Sequence, residues 1–124
     1  MTTYAGSIDM TEPGIGVKFT ATVGSGGITA GYPVKWDGTN ANTVVATTGS
    51  ADVFVGVARD TVSSGGTVTV LGPGCLVLTP FTLVVGSKVG LSTASLAAYS
   101  SGTICGTVDT AGTLASIVRV LTQY

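Results

Sequence analysis

Residues 53–72 have the sequence VFVGVARDTVSSGGTVTVLG, two runs rich in β-branched residues that flank a Ser-Gly break. In the first run, residues 53–58, the side chains on both sides of an extended chain are apolar. The second run, residues 67–71, follows the small residues at 63–66. The pattern predicts two strands joined by a turn. We expect the first strand to be covered on one face by the core and on the other by the N-terminal segment or another subunit.

A related sequence returns about fifty residues later. Three segments match at offsets of fifty or fifty-five residues: 28–36 with 83–91, 54–56 with 104–106, and 67–71 with 117–121. The offset changes because the loop around residues 40–52 is longer in the first copy. The matches predict two pseudo-repeats, about residues 28–72 and 83–121. A chance match in a sequence dominated by Val, Thr and Gly is the alternative.

The pseudo-repeat predicts which residues are equivalent and which form the core. The equivalent pairs are Gly31 with Gly86, Val34 with Val89, Phe54 with Ile104, and Val68 with Val118. Alternation within the runs predicts that six valines are mostly buried: Val55, Val57, Val68, Val70, Val118 and Val120.

Length and composition indicate one β domain. A chain of 124 residues fits a single hydrophobic core. Val, Thr, Gly and Ser dominate, and Glu12 is the only Glu. Roughly nine to eleven short strands separated by turns predict an all-β fold, an antiparallel β-sandwich or barrel built from the two pseudo-repeats. Residues 17–124 form this domain, and a short helical turn can form only at Thr93–Ser100.

Residues 1–16 differ from the rest and predict an extended N-terminal arm. Their apolar residues follow neither a helical nor a strand period. Such a segment needs another surface to order it, and a frayed terminus is the alternative. The candidate contacts with a capsid or a neighbouring subunit are the apolar and acidic side chains Tyr4, Ile8, Asp9, Met10 and Glu12.

Charge is sparse. Charged residues make up 9 % of the chain, and mean hydropathy is +0.58. A monomer usually carries more charge, so this composition favours extensive contact with other subunits, with a Thr- and Gly-rich surface as the alternative. The net charge of −1 and the scattered basic residues predict no nucleic-acid partner. The longest apolar stretch, residues 75–85, is too short to span a bilayer, and no signal peptide is expected.

The side chains of common catalytic and metal sites are scarce. The chain has no His, so a nucleophile could use only Asp or Lys as its base. Cys75 and Cys105 fit no metal motif and are expected to be buried and reduced, with a disulfide as the alternative. The Gly-rich segments 24–27 and 63–66 lack the Lys-Ser/Thr ending of a phosphate loop. We therefore predict no catalytic site, metal or cofactor.

The order of these motifs resembles a known family. Residues 28–34 (ITAGYPV), 55–58 (VGVA) and 68–74 (VTVLGPG), repeated in weaker form to residue 121, are similar to the small capsid decoration, or cement, proteins of tailed bacteriophages. The resemblance implies a structural virion protein, made in the host cytoplasm and bound to the capsid exterior. It also implies a homotrimer that bridges subunits of the major capsid protein and stabilises the shell. The arm and the loop at residues 40–52 are not matched.

Scattered aromatic residues leave a second function open. Tyr32, Trp36 and Phe81 are candidates for contact with the capsid or with another subunit. The alternative is a carbohydrate-binding β module of a phage fibre or cell surface. That function needs Trp36 or Tyr32 exposed beside Asp37, Asn40 or Asn42. An enzyme is the third and least supported hypothesis.

Overall fold

The structure is a computed structural model that describes residues 8–9, 16–100, 102–110 and 116–120. These residues form ten strands and no helix. The strands are β1 Lys18–Val23, β2 Pro33–Trp36, β3 Thr43–Ala46, β4 Gly56–Ala58, β5 Thr67–Leu71, β6 Leu76–Thr79, β7 Lys88–Ser92, β8 Ser95–Ala98, β9 Ile104–Thr110 and β10 Ser116–Val120. The predicted all-β fold is confirmed.

The first five strands close into a barrel in the order β1-β3-β2-β4-β5. The pair β1–β3 is parallel, with Val23 opposite Val44, and the other neighbours are antiparallel. Alternate side chains point inward. A barrel of five strands has a narrow interior, which here is filled by small and aliphatic side chains. They are Ala21, Val23, Ile28, Val34, Val44, Ala58, Val68 and Val70.

The last five strands form an open antiparallel sheet in the order β6-β10-β9-β7-β8. Its core also includes Phe54, Val57 and Leu71 from the barrel. Because neighbours along a strand face opposite ways, Ala58 fills the barrel while Val57 packs on the second sheet. The prediction that both faces of this strand are covered is confirmed for Gly56–Ala58 but not for Val53, which is exposed. The outer face was predicted to contact the N-terminal segment or another subunit. That prediction was wrong, because Val57 on this face packs on the second sheet of the same chain.

The two sheets share one strand order, which supports the predicted pseudo-repeat, although the matching units begin at β1 and β6, before the predicted starts at residues 28 and 83. β1-β5-β4-β2-β3 in the barrel corresponds to β6-β10-β9-β7-β8 in the open sheet. The Gly31 N–H donates to the Ala58 carbonyl at 2.9 Å, and the Gly86 N–H donates to the Val108 carbonyl at 3.0 Å. Both glycines have positive φ, 86° and 81°. The difference lies in closure, because β1 pairs with β3 whereas β6 does not pair with β8.

One predicted equivalence is wrong by two residues. Val70 lies opposite Ala58, and Val118 lies opposite Val108, so Val118 corresponds to Val70 rather than to Val68. A register shift in β10 next to Val118 accompanies the change. A slip of two residues keeps every side chain on its own face of the sheet, so the hydrophobic pattern could not reveal it.

The predicted core is largely confirmed. The buried residues are Val57, Val68, Val70, Val118 and Val120. Val55 is half-buried and packs against the barrel core. Val53 is 76 % exposed, and it precedes the first hydrogen bond to β2, which the Val55 N–H donates to the Val34 carbonyl at 3.0 Å. The first run therefore forms a shorter strand than predicted.

The predicted helical turn at Thr93–Ser100 was wrong. These residues belong to a hairpin in which Ser92 lies opposite Ser95 and Leu91 opposite Leu96. Thr93 adopts a φ of 53°, the left-handed conformation that a tight turn requires. Burial of Leu96 in the core outweighs the modest helix propensity of the Ala-rich sequence.

Candidate interaction surfaces

The described residues hold no group of three or more His, Cys, Asp or Glu side chains that could bind a metal ion. They also contain no helix able to cross a membrane. Ion pairs in this part of the chain join single acids to single bases: Lys18–Asp9, Lys35–Asp52 and Arg59–Asp60. The candidate interaction surfaces in the described part of the chain are a shallow cleft, the aromatic pairs, residues 8–9 of the arm and the exposed apolar side chains.

Both cysteines are buried and no disulfide joins them, as expected from the sequence. They belong to the core of the second sheet. The Cys75 thiol donates to the Val17 carbonyl at 3.4 Å. Burial raises the pKa of the Cys105 thiol to about 12, because the thiolate would lose its hydration in the core. Neither thiol is placed to act as a nucleophile.

A shallow cleft of about 370 Å³ lies between residues 26–29 and 61–64. Ile28 and Val62 join its two sides through paired backbone hydrogen bonds of 2.9 and 3.1 Å. Its lining contains hydroxyls but no charged side chain. Nearby turn amides are already used, since the N–H groups of Gly27, Gly65 and Gly66 donate to backbone carbonyls. A phosphate loop needs such amides free, so these segments are turns, as predicted.

Two of the predicted aromatic contact residues meet inside the chain. Tyr32 and Phe81 pack edge to face with ring centroids 5.0 Å apart. Phe81 also packs against the core of the second sheet. A Cβ on Gly31 would lie 2.8 Å from Pro80, so the chain before β2 closely approaches the segment after β6. Tyr32 and Phe81 thus join the two pseudo-repeats.

Trp36 remains accessible. Its side chain is 45 % exposed, and its ring stacks on Phe19 with centroids 5.6 Å apart. Phe19 packs against the barrel core and holds the indole at the end of β2. Phe19 was not among the predicted contact residues, although Val17, Phe19, Ala21 and Val23 alternate with polar residues in the sequence and indicate one apolar face. Beside Trp36, the Asn40 side-chain amide donates to the Asp37 carboxylate at 2.8 Å.

The structure describes two of the five predicted arm residues, Ile8 and Asp9. Tyr4, Met10 and Glu12 lie outside the described residues. The Leu78 N–H donates to the Ile8 carbonyl at 2.8 Å, and the Ile8 side chain packs on the core of the second sheet. The Asp9 carboxylate lies 2.6 Å from the Lys18 ammonium. Ile8 and Asp9 thus contact the free edge of β6 and the barrel of their own chain.

Asp52 organises a loop that the sequence analysis did not single out. Its carboxylate accepts hydrogen bonds from the Thr48 and Gly49 amides at 2.7 and 2.9 Å. The Lys35 ammonium lies 3.3 Å away. The two amide hydrogen bonds, followed by Lys35, hold the pKa of Asp52 below its usual value. Lys88, which corresponds to Pro33 rather than to Lys35 in the strand pairing, is exposed.

Exposed apolar side chains are distributed over both sheets. The large ones in the described part of the chain are Val17, Trp36, Val53, Val84, Val85 and Tyr99. Val84 and Val85 are adjacent in the segment before β7 and are 68 % and 59 % exposed. No model of a known protein family matches the chain. A search of curated proteins likewise finds no match.

Proposed function

We propose that this chain is a structural virion protein that binds the outer surface of an icosahedral capsid. In this role it bridges subunits of the major capsid protein and stabilises the shell, as the resemblance over residues 28–121 implies. It is made in the host cytoplasm and acts on the capsid exterior as a homotrimer. The number three comes from the resemblance alone. Catalysis, cofactors, nucleic acid and membranes have no part in this proposal.

The observation that carries the proposal is the exposure of large apolar side chains on a chain with few charges. Val84 and Val85 present two adjacent aliphatic side chains to solvent. Only 9 % of the residues are charged. Exposed apolar groups of this kind are typical of protein contact surfaces. Stable contact with a capsid would remove them from water and would need little charge complementarity.

The experiment is a binding assay on capsids that lack their decoration protein. The double variant Val84→Ser, Val85→Ser is compared with the parent and with Thr20→Ser, an exposed control on β1. We expect the double variant to bind at least tenfold more weakly, a change of about 1.4 kcal/mol, while its melting temperature stays unchanged. Failure of the parent to bind any such capsid would overturn the proposal. Equal binding by the double variant would remove Val84 and Val85 from the contact.

A carbohydrate-binding module is the second candidate, and the surroundings of Trp36 favour it. The half-exposed indole lies at the end of β2 and is followed in the chain by Asp37, whose carboxylate accepts a hydrogen bond from Asn40, and an aromatic face with polar groups close in sequence suits a sugar ring. A glycan array compares the parent with Trp36→Ala. Binding that the variant loses would favour this function, and an array without signal for the parent would reject it.

A further inference from the structure

The first pseudo-repeat has a longer connection between its third and fourth strands than the second one has. Residues 47–55 join β3 to β4, whereas residues 99–103 join the equivalent strands β8 and β9. The shorter connection shows that the strand order itself does not need the extra residues. The extra length instead lets residues 47–52 reach the second sheet. We call residues 47–52 the clasp.

Three hydrogen bonds join the clasp to two loops of the second sheet. The hydroxyl of the buried Thr47 donates to the Thr93 carbonyl at 2.7 Å, in the turn between β7 and β8. The Thr103 N–H donates to the Ser50 carbonyl at 2.9 Å. The Thr103 hydroxyl donates to the Asp52 carbonyl at 2.6 Å. The clasp therefore holds the chain on both sides of β8.

The Asp52 side chain fixes the shape of the clasp. Its carboxylate accepts hydrogen bonds from the Thr48 and Gly49 N–H groups at 2.7 and 2.9 Å. The Asp52 N–H in turn donates to the Gly49 carbonyl at 3.2 Å, which closes a tight turn. Ser50 lies within this turn and Asp52 at its end. The carboxylate that closes the turn thus also positions both carbonyls that accept hydrogen bonds from Thr103.

Lys35 is the charged side chain that faces this carboxylate, from β2 at 3.3 Å. The rest of the clasp and the loops that it contacts, residues 92–94 and 99–103, carry no charged residue. Protonation of Asp52 weakens its amide hydrogen bonds and removes its attraction to Lys35. The two amide hydrogen bonds, followed by Lys35, hold the pKa of Asp52 below its ordinary value of 3.8. These contacts are therefore present above pH 3.8 and are lost as the pH falls through the lowered pKa.

We propose that residues 47–52 form an acid-sensitive clasp between the barrel and the second sheet, which the Asp52 carboxylate holds closed and its protonation opens. Opening is local, because the core that the two sheets share and the contact between Tyr32 and Phe81 contain no titrating acid. It frees the loops on both sides of β8 from the barrel and leaves the strands paired. The clasp belongs to the single chain and does not depend on capsid binding.

Amide hydrogen exchange followed by NMR between about pH 2.5 and 7 tests the clasp. The Thr103 N–H is the reporter, with its rate compared with the intrinsic rate at each pH. The Val120 N–H, which donates to the Cys75 carbonyl within the second sheet, reports global unfolding. In the parent, protection of Thr103 should fall roughly tenfold below pH 3.8, while protection of Val120 is retained.

Two variants separate the clasp from a general effect of acid. Asp52→Asn lacks the charge at every pH, so its Thr103 N–H should be roughly tenfold less protected than in the parent at pH 7 and should show no further loss in acid. Lys35→Met keeps the carboxylate and its amide hydrogen bonds but removes a charge that lowers the pKa of Asp52. Its clasp should therefore open at a higher pH than that of the parent.

Asp60→Asn is the matched control, because Asp60 is an exposed acid paired with Arg59 outside the clasp, and this variant should exchange like the parent. Protection of Thr103 equal to the parent's in Asp52→Asn at pH 7 would overturn the proposal. Loss of Thr103 and Val120 protection together in acid would do the same, since it would mean that acid unfolds the whole chain rather than the clasp.

Discussion

Asp52 shows how one side chain fixes the long loop between β3 and β4. Its carboxylate accepts two backbone N–H bonds and lies near Lys35, and these contacts lower its pKa. Because the folded-state pKa lies below the ordinary value of 3.8, the resulting stability is present above that pH. It is lost as the pH falls through the lowered pKa.

Asp52→Asn is therefore expected to reduce the free energy of unfolding by about 1–2 kcal/mol at pH 7. The difference from the parent should shrink as the pH falls below about 4, where protonation weakens the same contacts in the parent. Urea unfolding at pH 7 and pH 3 measures both values. The matched control is Asp60→Asn, since the exposed Arg59–Asp60 pair should contribute little. A deficit of the same size at both pH values would contradict this account of Asp52.

Gly56 and Gly106 are the equivalent residues most sensitive to substitution. A Cβ on Gly56 would lie 2.6 Å from the Leu71 carbonyl oxygen, and one on Gly106 would overlap the Arg119 carbonyl oxygen. Gly56→Ala and Gly106→Ala should each destabilise the protein by about 1–3 kcal/mol or prevent folding. Gly49→Ala is the control, because its added Cβ would approach only the Asp52 carboxylate, at 3.8 Å. Thermal melting of the three variants tests the comparison, and a neutral Gly106→Ala would refute it.

At the level of strands, alternation of apolar residues and the turn residues predicted where strands lie in the sequence, but not how the strands pair. The sequence predicted β5 with the bounds that it has, residues 67–71, because its β-branched residues follow a Gly-containing turn. It did not predict the parallel closure of β1 on β3, which joins strands distant in sequence. It also missed the β7–β8 hairpin, where pairing with β9 and burial of Leu96 override local preference.

Burial of the two cysteines predicts that both react slowly with thiol-labelling reagents in the folded protein. Cys105 lies in β9 with a pKa of about 12, so its thiol is almost wholly protonated at pH 8. Cys75, just before β6, is fully buried. Alkylation of both thiols by iodoacetamide at pH 8 should be at least a hundredfold slower in native protein than in urea-unfolded protein. Mass spectrometry of timed samples gives the rates, and rapid native labelling of either cysteine would show that its strand opens readily.

At the scale of the whole molecule, the candidate surfaces were less predictable than the fold. Tyr32, Phe81 and Trp36 have similar sequence surroundings, yet Tyr32 and Phe81 pack together between the pseudo-repeats while Trp36 stays exposed. The difference depends on how the second sheet packs on the barrel, which no local pattern encodes. The same holds for Ile8, whose contact with β6 exists only because β6 is an edge.

These contacts divide the predicted arm into two parts with separable effects. The Ile8 carbonyl accepts a hydrogen bond from the Leu78 N–H and its side chain packs on the core, while Asp9 pairs with Lys18. Deleting residues 2–7 preserves all of these contacts and should leave the melting temperature unchanged. Deleting residues 2–12 removes them and should cost about 1–3 kcal/mol of stability.

Capsid binding separates the two roles of the arm. If residues before Ile8 contact the capsid, both deletions should bind at least tenfold more weakly than the parent, although only the longer one is less stable. Ile8→Ala, which weakens the internal contact without shortening the arm, is the matched control and should lose stability with little loss of binding. Binding assays on undecorated capsids and thermal melts on the same samples give both quantities. Parent-like binding by the shorter deletion would assign capsid recognition to the β domain and leave Ile8 and Asp9 with a purely internal role.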